Sequence, residues 1–154
     1  MVSPQTANLE AGAIGCFYVI EVQLRTTECP DSVLRLLDRM GHKAVYLLTY
    51  GEDGRLAVVE DAVFQGGWAP YPELRLELTG LTVDDAWANI VRRIGNLPDN
   101  VPLNEAVAEY KRVSKIDREI ESLEARFRKE KQNHTRREIY AQIQSLKKER
   151  DEGP

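Results

Sequence analysis

Near the end of the chain the apolar residues Val113, Ile116, Ile120, Leu123 and Phe127 recur at alternating spacings of three and four, and then the pattern stops. Such a seam commits the segment to helices packed along a shared apolar stripe. Its next positions fall on Glu130 and His134, which bury poorly. The seam resumes at Ile139, Ile143 and Leu146. One long rod would carry the break in its middle, whereas two antiparallel helices place it in a turn. Asn133 is suited to closing the first helix, and Thr135 with Glu138 matches a capping box that opens the second. The expected structure is a helical hairpin over 103–150 with Ile116, Ile120, Leu123, Phe127, Ile139, Ile143 and Leu146 as its core.

The tip of that hairpin is basic. Residues 125–140 hold six Lys or Arg against two Glu: Arg126, Arg128, Lys129, Lys131, Arg136 and Arg137, with His134 among them. The net charge of −4 hides this division. Residues 1–110 carry 8 basic and 16 acidic side chains, and residues 111–150 carry 13 and 7. Asymmetry of this kind points to an interaction surface on the basic part. Close-set cations neutralise phosphates, and Arg binds them through two hydrogen bonds at once. Hairpins equally dock onto partner proteins. The bland alternative is a solvated coiled-coil surface, which is charged in any case.

Residues 1–97 read as an α/β body. The stretch "IGCFYVIEVQLR" has the β-branched and aromatic content of a strand, with Tyr18, Ile20, Val22 and Leu24 on one face. A helix follows in "PDSVLRLLDRMG", capped by Asp31 or Ser32, with Val33, Leu36, Leu37 and Met40 as its apolar stripe. "KAVYLLTYG" is an apolar run suited to a strand covered on both faces. "EDG" signals a hairpin, and "RLAVVEDAVF" reads as the returning strand. "PELRLELTG" alternates Leu with polar residues, which predicts a half-exposed strand. Thr82 caps a second helix that buries Val83, Trp87, Ile90, Val91 and Ile94 and ends at Gly95. The expectation is a sheet of about four strands with two packed helices, followed by the hairpin.

Catalytic signals are sparse. Glu21 and Gln23 on the first strand occupy the positions where restriction-type nucleases place a metal-binding acid and a Lys. Gln carries no charge, so the signature is incomplete, and a degenerate metal-dependent nuclease subunit stays a secondary reading. Asp84 and Asp85 are explained by a helix start, and Glu60 with Asp61 by a strand whose adjacent residues face opposite ways. Phosphate-loop, dinucleotide and nucleophile-elbow motifs are missing, so no metal and no cofactor is expected. Cys16 and Cys29 lack metal or redox spacing. No apolar run reaches the ~18 residues of a membrane span, and the N-terminus lacks a signal-peptide pattern. A cytoplasmic protein without a membrane is expected.

The order of these segments resembles the bacterial domain-of-unknown-function 4391 family. The similarity runs from about residue 14 through "FYVIEVQLR", "LLDRMGHKAVYLLTYGEDGRLAVV", "LRLELTGLTVDDAWANIVRRIG" and "EKQNHTRREIYAQIQSLKKE". Its most distinctive parts are the Trp-centred helix and the basic hairpin. Members are often longer at the N-terminus, which implies an upstream strand and helix beyond this chain. Members are also often encoded beside DNA methyltransferases and superfamily-2 helicases. The resemblance therefore implies a non-catalytic accessory subunit of a phage-defence or restriction-modification assembly. Its partner would be a helicase or methyltransferase subunit, with DNA as a second contact. It brings no catalytic residues. A third reading is a homo-oligomeric scaffold in which hairpins associate through Ile120, Leu123, Ile139 and Ile143.

Overall fold

A computed structural model describes residues 1–152. The chain forms two compact units, Met1–Leu103 and the segment from Asn104 onward.

The first unit is built on a mixed sheet in the order β1-β2-β3-β4, with strands Tyr18–Gln23, Ala44–Tyr50, Asp53–Glu60 and Ala62–Gln65. β1 and β2 are parallel, joined through helix α2 (Asp31–Asp38), and the remaining pairs are antiparallel. A short α1 (Pro4–Ala7) precedes β1, and the two-residue β5 (Ala69–Pro70) pairs with β3 at Asp53 and Gly54. The row Tyr46 and Ala57 faces α2, where Leu34, Leu48, Val59 and Val63 join one core cluster. The row Val45, Val58 and Phe64 points the other way, toward α3 (Val83–Gly95), and all three are buried. With helices on both faces, β2 can be apolar throughout, as its sequence demands.

Helix α3 is fixed at both ends. Thr82 Oγ1 accepts from Asp85 N–H at 3.1 Å, and Asp85 Oδ2 accepts from the backbone N–H of Thr82 and Leu81. These bonds hold the Asp85 carboxyl below its ordinary range. At the other end Asn96, at φ 50°, adopts the left-handed cap expected of Gly95. Trp87 packs its ring 5.5 Å from that of Phe17. Its Nε1 donates to Glu60 at 2.7 Å, while Lys43 also contacts Glu60 and lies 5.2 Å from the Trp87 ring centre.

Several local expectations are overturned. The turn between β2 and β3 is Gly51–Glu52, with Gly51 at φ 62°. Gly54 lies within β3, where an added Cβ would meet Leu74 Cδ1 at 2.7 Å. The returning strand is two strands, because Asp61 at φ 53° reverses the chain between Glu60 and Ala62. The alternating segment 74–79 pairs with no strand. It instead half-buries Leu74 and Leu76 beside Leu56 and Ile90, and its period of two records a cover over the sheet, not a place in it.

On α2 the buried residue is Leu34, fully enclosed, with Leu37 packed against the same cluster. Val33, Leu36 and Met40, expected inside, are 41%, 62% and 61% exposed. The physical reason is the tether at the helix start. Gln65 Nε2 on β4 donates to the carbonyl of Cys29 and to Asp31 Oδ1, both at 3.0 Å, and this sets the rotation of a helix only eight residues long.

The second unit is a hairpin of α4 (Leu103–Lys129) and α5 (Asn133–Glu152). Ile116, Ile120 and Leu123 meet Ile139 and Ile143 in one buried cluster, with Phe127 and Leu146 packed against it. Polar contacts fix the register along the shaft. Arg112 donates to the carbonyls of Glu149 and Arg150, Arg150 contacts Asp117 at 3.3 Å, and Lys147 contacts Glu124 at 3.1 Å.

Candidate nucleic-acid interface at the hairpin tip

The turn that closes the hairpin is Glu130–Gln132, two residues earlier than the sequence suggests. Asn133 opens α5 instead of closing α4. The reason is Glu130, whose Oε1 accepts from the backbone N–H of Lys131 at 2.7 Å and of Gln132 at 2.8 Å. Gln132 then supplies the carbonyl for Arg136 N–H at 3.0 Å. Thr135 points back to Gln132 Oε1, so the expected capping box with Glu138 does not form, and Glu138 contacts His134 at 3.5 Å instead.

These arrangements engage the acids near the tip, which keep their charge. Glu130 holds the turn, Glu138 faces His134 and Glu124 is paired with Lys147. Arg126, Arg128, Lys129, Lys131, Arg136 and Arg137 are all exposed, and among the described residues none of them enters an ion pair. On the shaft Arg112, Lys147 and Arg150 are each held by a carboxylate, while Lys111, Lys115 and Arg118 are exposed and, among the described residues, enter no ion pair.

Helix electrostatics explain half of the cluster. Arg126, Arg128 and Lys129 lie in the last turn of α4, where cations offset the negative end of the dipole. Arg136 and Arg137 are the fourth and fifth residues of α5, at its positive end, and no acidic residue occupies that first turn. Cations there oppose the dipole and act against stability. Glu130 beside the turn and the Phe127 ring under Arg136 offset part of this, and an anion bound from outside would offset more.

Two aromatic rings lie among these charges. Phe127 and Tyr140 approach with ring centres 6.4 Å apart at 45°, and the Arg136 guanidinium lies 4.6 Å from the centre of Phe127. A cleft of about 400 Å³ opens between Phe127, Asn133, Arg136, Arg137 and Tyr140. A second, of about 270 Å³, adjoins the same two rings, with Arg128 and Lys147 beside it. Tyr140 is 55% exposed. Sequence reasoning missed Tyr140. Its signal was an aromatic residue one position off the core stripe and within a helical turn of two arginines.

The other candidates lie elsewhere. Glu21 and Gln23 are exposed on the face of β1 away from α2, in a groove of about 610 Å³ that also contains Thr49, Gly51, Glu52 and Tyr71. Thr49 Oγ1 lies 3.4 Å from Glu21 Oε1. Among the described residues no group of three or more His, Cys, Asp or Glu comes together to hold a metal. Burial raises the Cys29 thiol above its ordinary range, with Arg55 only partly offsetting it, so this is not an activated nucleophile. No helix is long and apolar enough to cross a membrane among the described residues.

The sequence model of the family described as "Domain of unknown function (DUF4391)" matches residues 3–149. No curated protein and no solved structure matches this chain.

Proposed function

The chain belongs to the DUF4391 family, and from that premise we propose that it is a non-catalytic accessory subunit of a bacterial phage-defence or restriction-modification assembly. In this reading the α/β body is the folded platform, and the basic hairpin docks onto a helicase or DNA methyltransferase partner or onto the DNA that partner holds. The hairpin tip holds the nucleic acid on which that partner works.

One observation carries the reading. Arg136 and Arg137 stand at the positive end of α5 with no acid in the first turn and no ion pair. Together with the three cations at the end of α4 they make a concentrated positive site suited to a polyanion. The excess of acid in residues 1–110 keeps nucleic acid from spreading over the body, which favours a single point of contact.

The test is fluorescence anisotropy of labelled DNA across a salt series, comparing the native chain with a variant carrying Glu at Arg126, Arg128, Lys129, Arg136 and Arg137. Binding that weakens steeply with salt and disappears in the variant is expected. Absence of binding by the native chain at low salt would remove nucleic acid as the target and direct the tip to an acidic protein.

A further inference from the structure

We propose that the hairpin tip prefers unpaired nucleotides, which it holds by stacking a base on Tyr140 and the Phe127–Arg136 pair. The proposal rests on the reading of the tip as a nucleic-acid contact and names the form of nucleic acid it takes.

Duplex recognition by charge alone asks only for cations spaced along a backbone. This tip has something between them. Phe127 and Tyr140 form a tilted pair inside the ring of cations, and a cleft of about 400 Å³ lies against both rings. The cleft is open to solvent, so a flat heterocycle can reach both rings. The Arg136 guanidinium, itself flat and cationic, lies over the Phe127 ring at 4.6 Å. Tyr140, at 55% exposure, is a large apolar ring that the hairpin core does not use. Arg137 lines the same cleft and Arg128 the adjoining one, which places a guanidinium on either side for the flanking phosphates. Aromatic platforms flanked by cations are how proteins hold single strands without reading sequence, because every base has a π-face. In a duplex the bases are stacked on one another and cannot enter such a cleft. Asn133, at the mouth, offers an amide to a base edge.

The experiment uses the full chain with two probes of equal length, a fluorescein-labelled oligo-dT and a mixed-sequence duplex, at fixed low salt. The native chain is compared with Tyr140→Ala and Arg136→Lys, and the helical signal of each is checked by circular dichroism. Tyr140 is exposed, so its removal leaves the hairpin folded. The expected result is that the native chain binds the single strand at least tenfold more tightly. Tyr140→Ala then loses at least fivefold on the single strand, the change that about 1 kcal/mol of lost stacking produces, and keeps its duplex affinity. Arg136→Lys, which keeps the charge and loses the plane, shows a smaller loss in the same direction. Equal affinity for both probes, unchanged in Tyr140→Ala, would overturn the stacking proposal and leave the charge contact standing. No binding of either probe by the native chain would overturn both.

Discussion

The Arg136 guanidinium lies 4.6 Å from the centre of the Phe127 ring, so the start of α5 is clasped to the last turn of α4 by a cation and a π-face. Arg136 thereby gains a local partner for an otherwise unfavourable position. Arg137, next to it, has no such contact and lies just past the first turn of α5, near the positive end of the dipole. Arg137→Glu should therefore stabilise the hairpin by ~0.3–1 kcal/mol while weakening DNA binding and lowering the salt slope by about one. Thermal denaturation and the anisotropy series measure the two effects on one protein. Opposite signs are the signature of a residue kept for contact at the expense of stability. A loss of stability with unchanged binding would show that Arg137 serves the fold instead.

A second pair of residues separates the two possible faces of α2. Leu34 is fully buried, whereas Leu36 is 62% exposed. Leu34→Ala should cost ~2–5 kcal/mol, and Leu36→Ala should fall within ~0.5 kcal/mol of the native chain. Urea titration of both variants decides it. Equal costs would mean that Leu36 is covered by something in solution, and gel filtration would then show a larger species.

That helix also shows where the sequence stops being legible. The hairpin could be read in detail, since its core repeats over seven positions and a repeat averages away local accidents. α2 spans only eight residues, and its apolar side chains form two arcs, Val33 with Leu36 and Met40, and Leu34 with Leu37. Nothing local chooses between them. The choice is made by Gln65, on β4, through its bonds to Cys29 and Asp31, 36 and 34 positions away. The segment 74–79 failed for a related reason: alternation records a face to be covered, and a strand and an unpaired cover leave the same trace. At the tip the cations were visible as composition. Their lack of acidic partners was not, because that depends on Glu130 turning back to the backbone N–H groups of Lys131 and Gln132.

Asp38 makes a prediction about pH. Burial raises its carboxyl above the ordinary range, with Lys43 lowering and Glu60 raising it as smaller effects. A raised carboxyl binds its proton more tightly in the folded state, so ionisation costs stability as the pH rises from the unfolded value through the folded one. At neutral pH that cost is fully present. Asp38 is also the last residue of α2, where a negative charge meets the negative end of the dipole. Asp38→Asn should raise the melting temperature at pH 7, with a dipole contribution of ~0.3–1 kcal/mol, and the gain should shrink in acid as the native carboxyl becomes neutral. Melting curves at neutral and acidic pH check the sign. A variant less stable at pH 7 would mean that its attraction to Lys43 outweighs burial.

The hairpin core can be probed separately from the body because both tryptophans, Trp68 and Trp87, belong to the unit Met1–Leu103. Leu123 is 7% exposed and packs with Ile116, Ile120, Ile139 and Ile143. Leu123→Ala should remove ~2–5 kcal/mol from that cluster. Because the cluster belongs entirely to the second unit, the loss should appear as an earlier fall in far-ultraviolet helical signal. Tryptophan emission should keep the native midpoint, since Trp87 draws its contacts from Phe17, Lys43 and Glu60. Non-coincident transitions would show two folding units and would mean that a single unfolding free energy does not describe this chain. Coincident transitions in both proteins would show instead that body and hairpin unfold together. Losing the tip's geometry would then also cost the platform, and charge variants of the tip would be the only clean probes of its contacts.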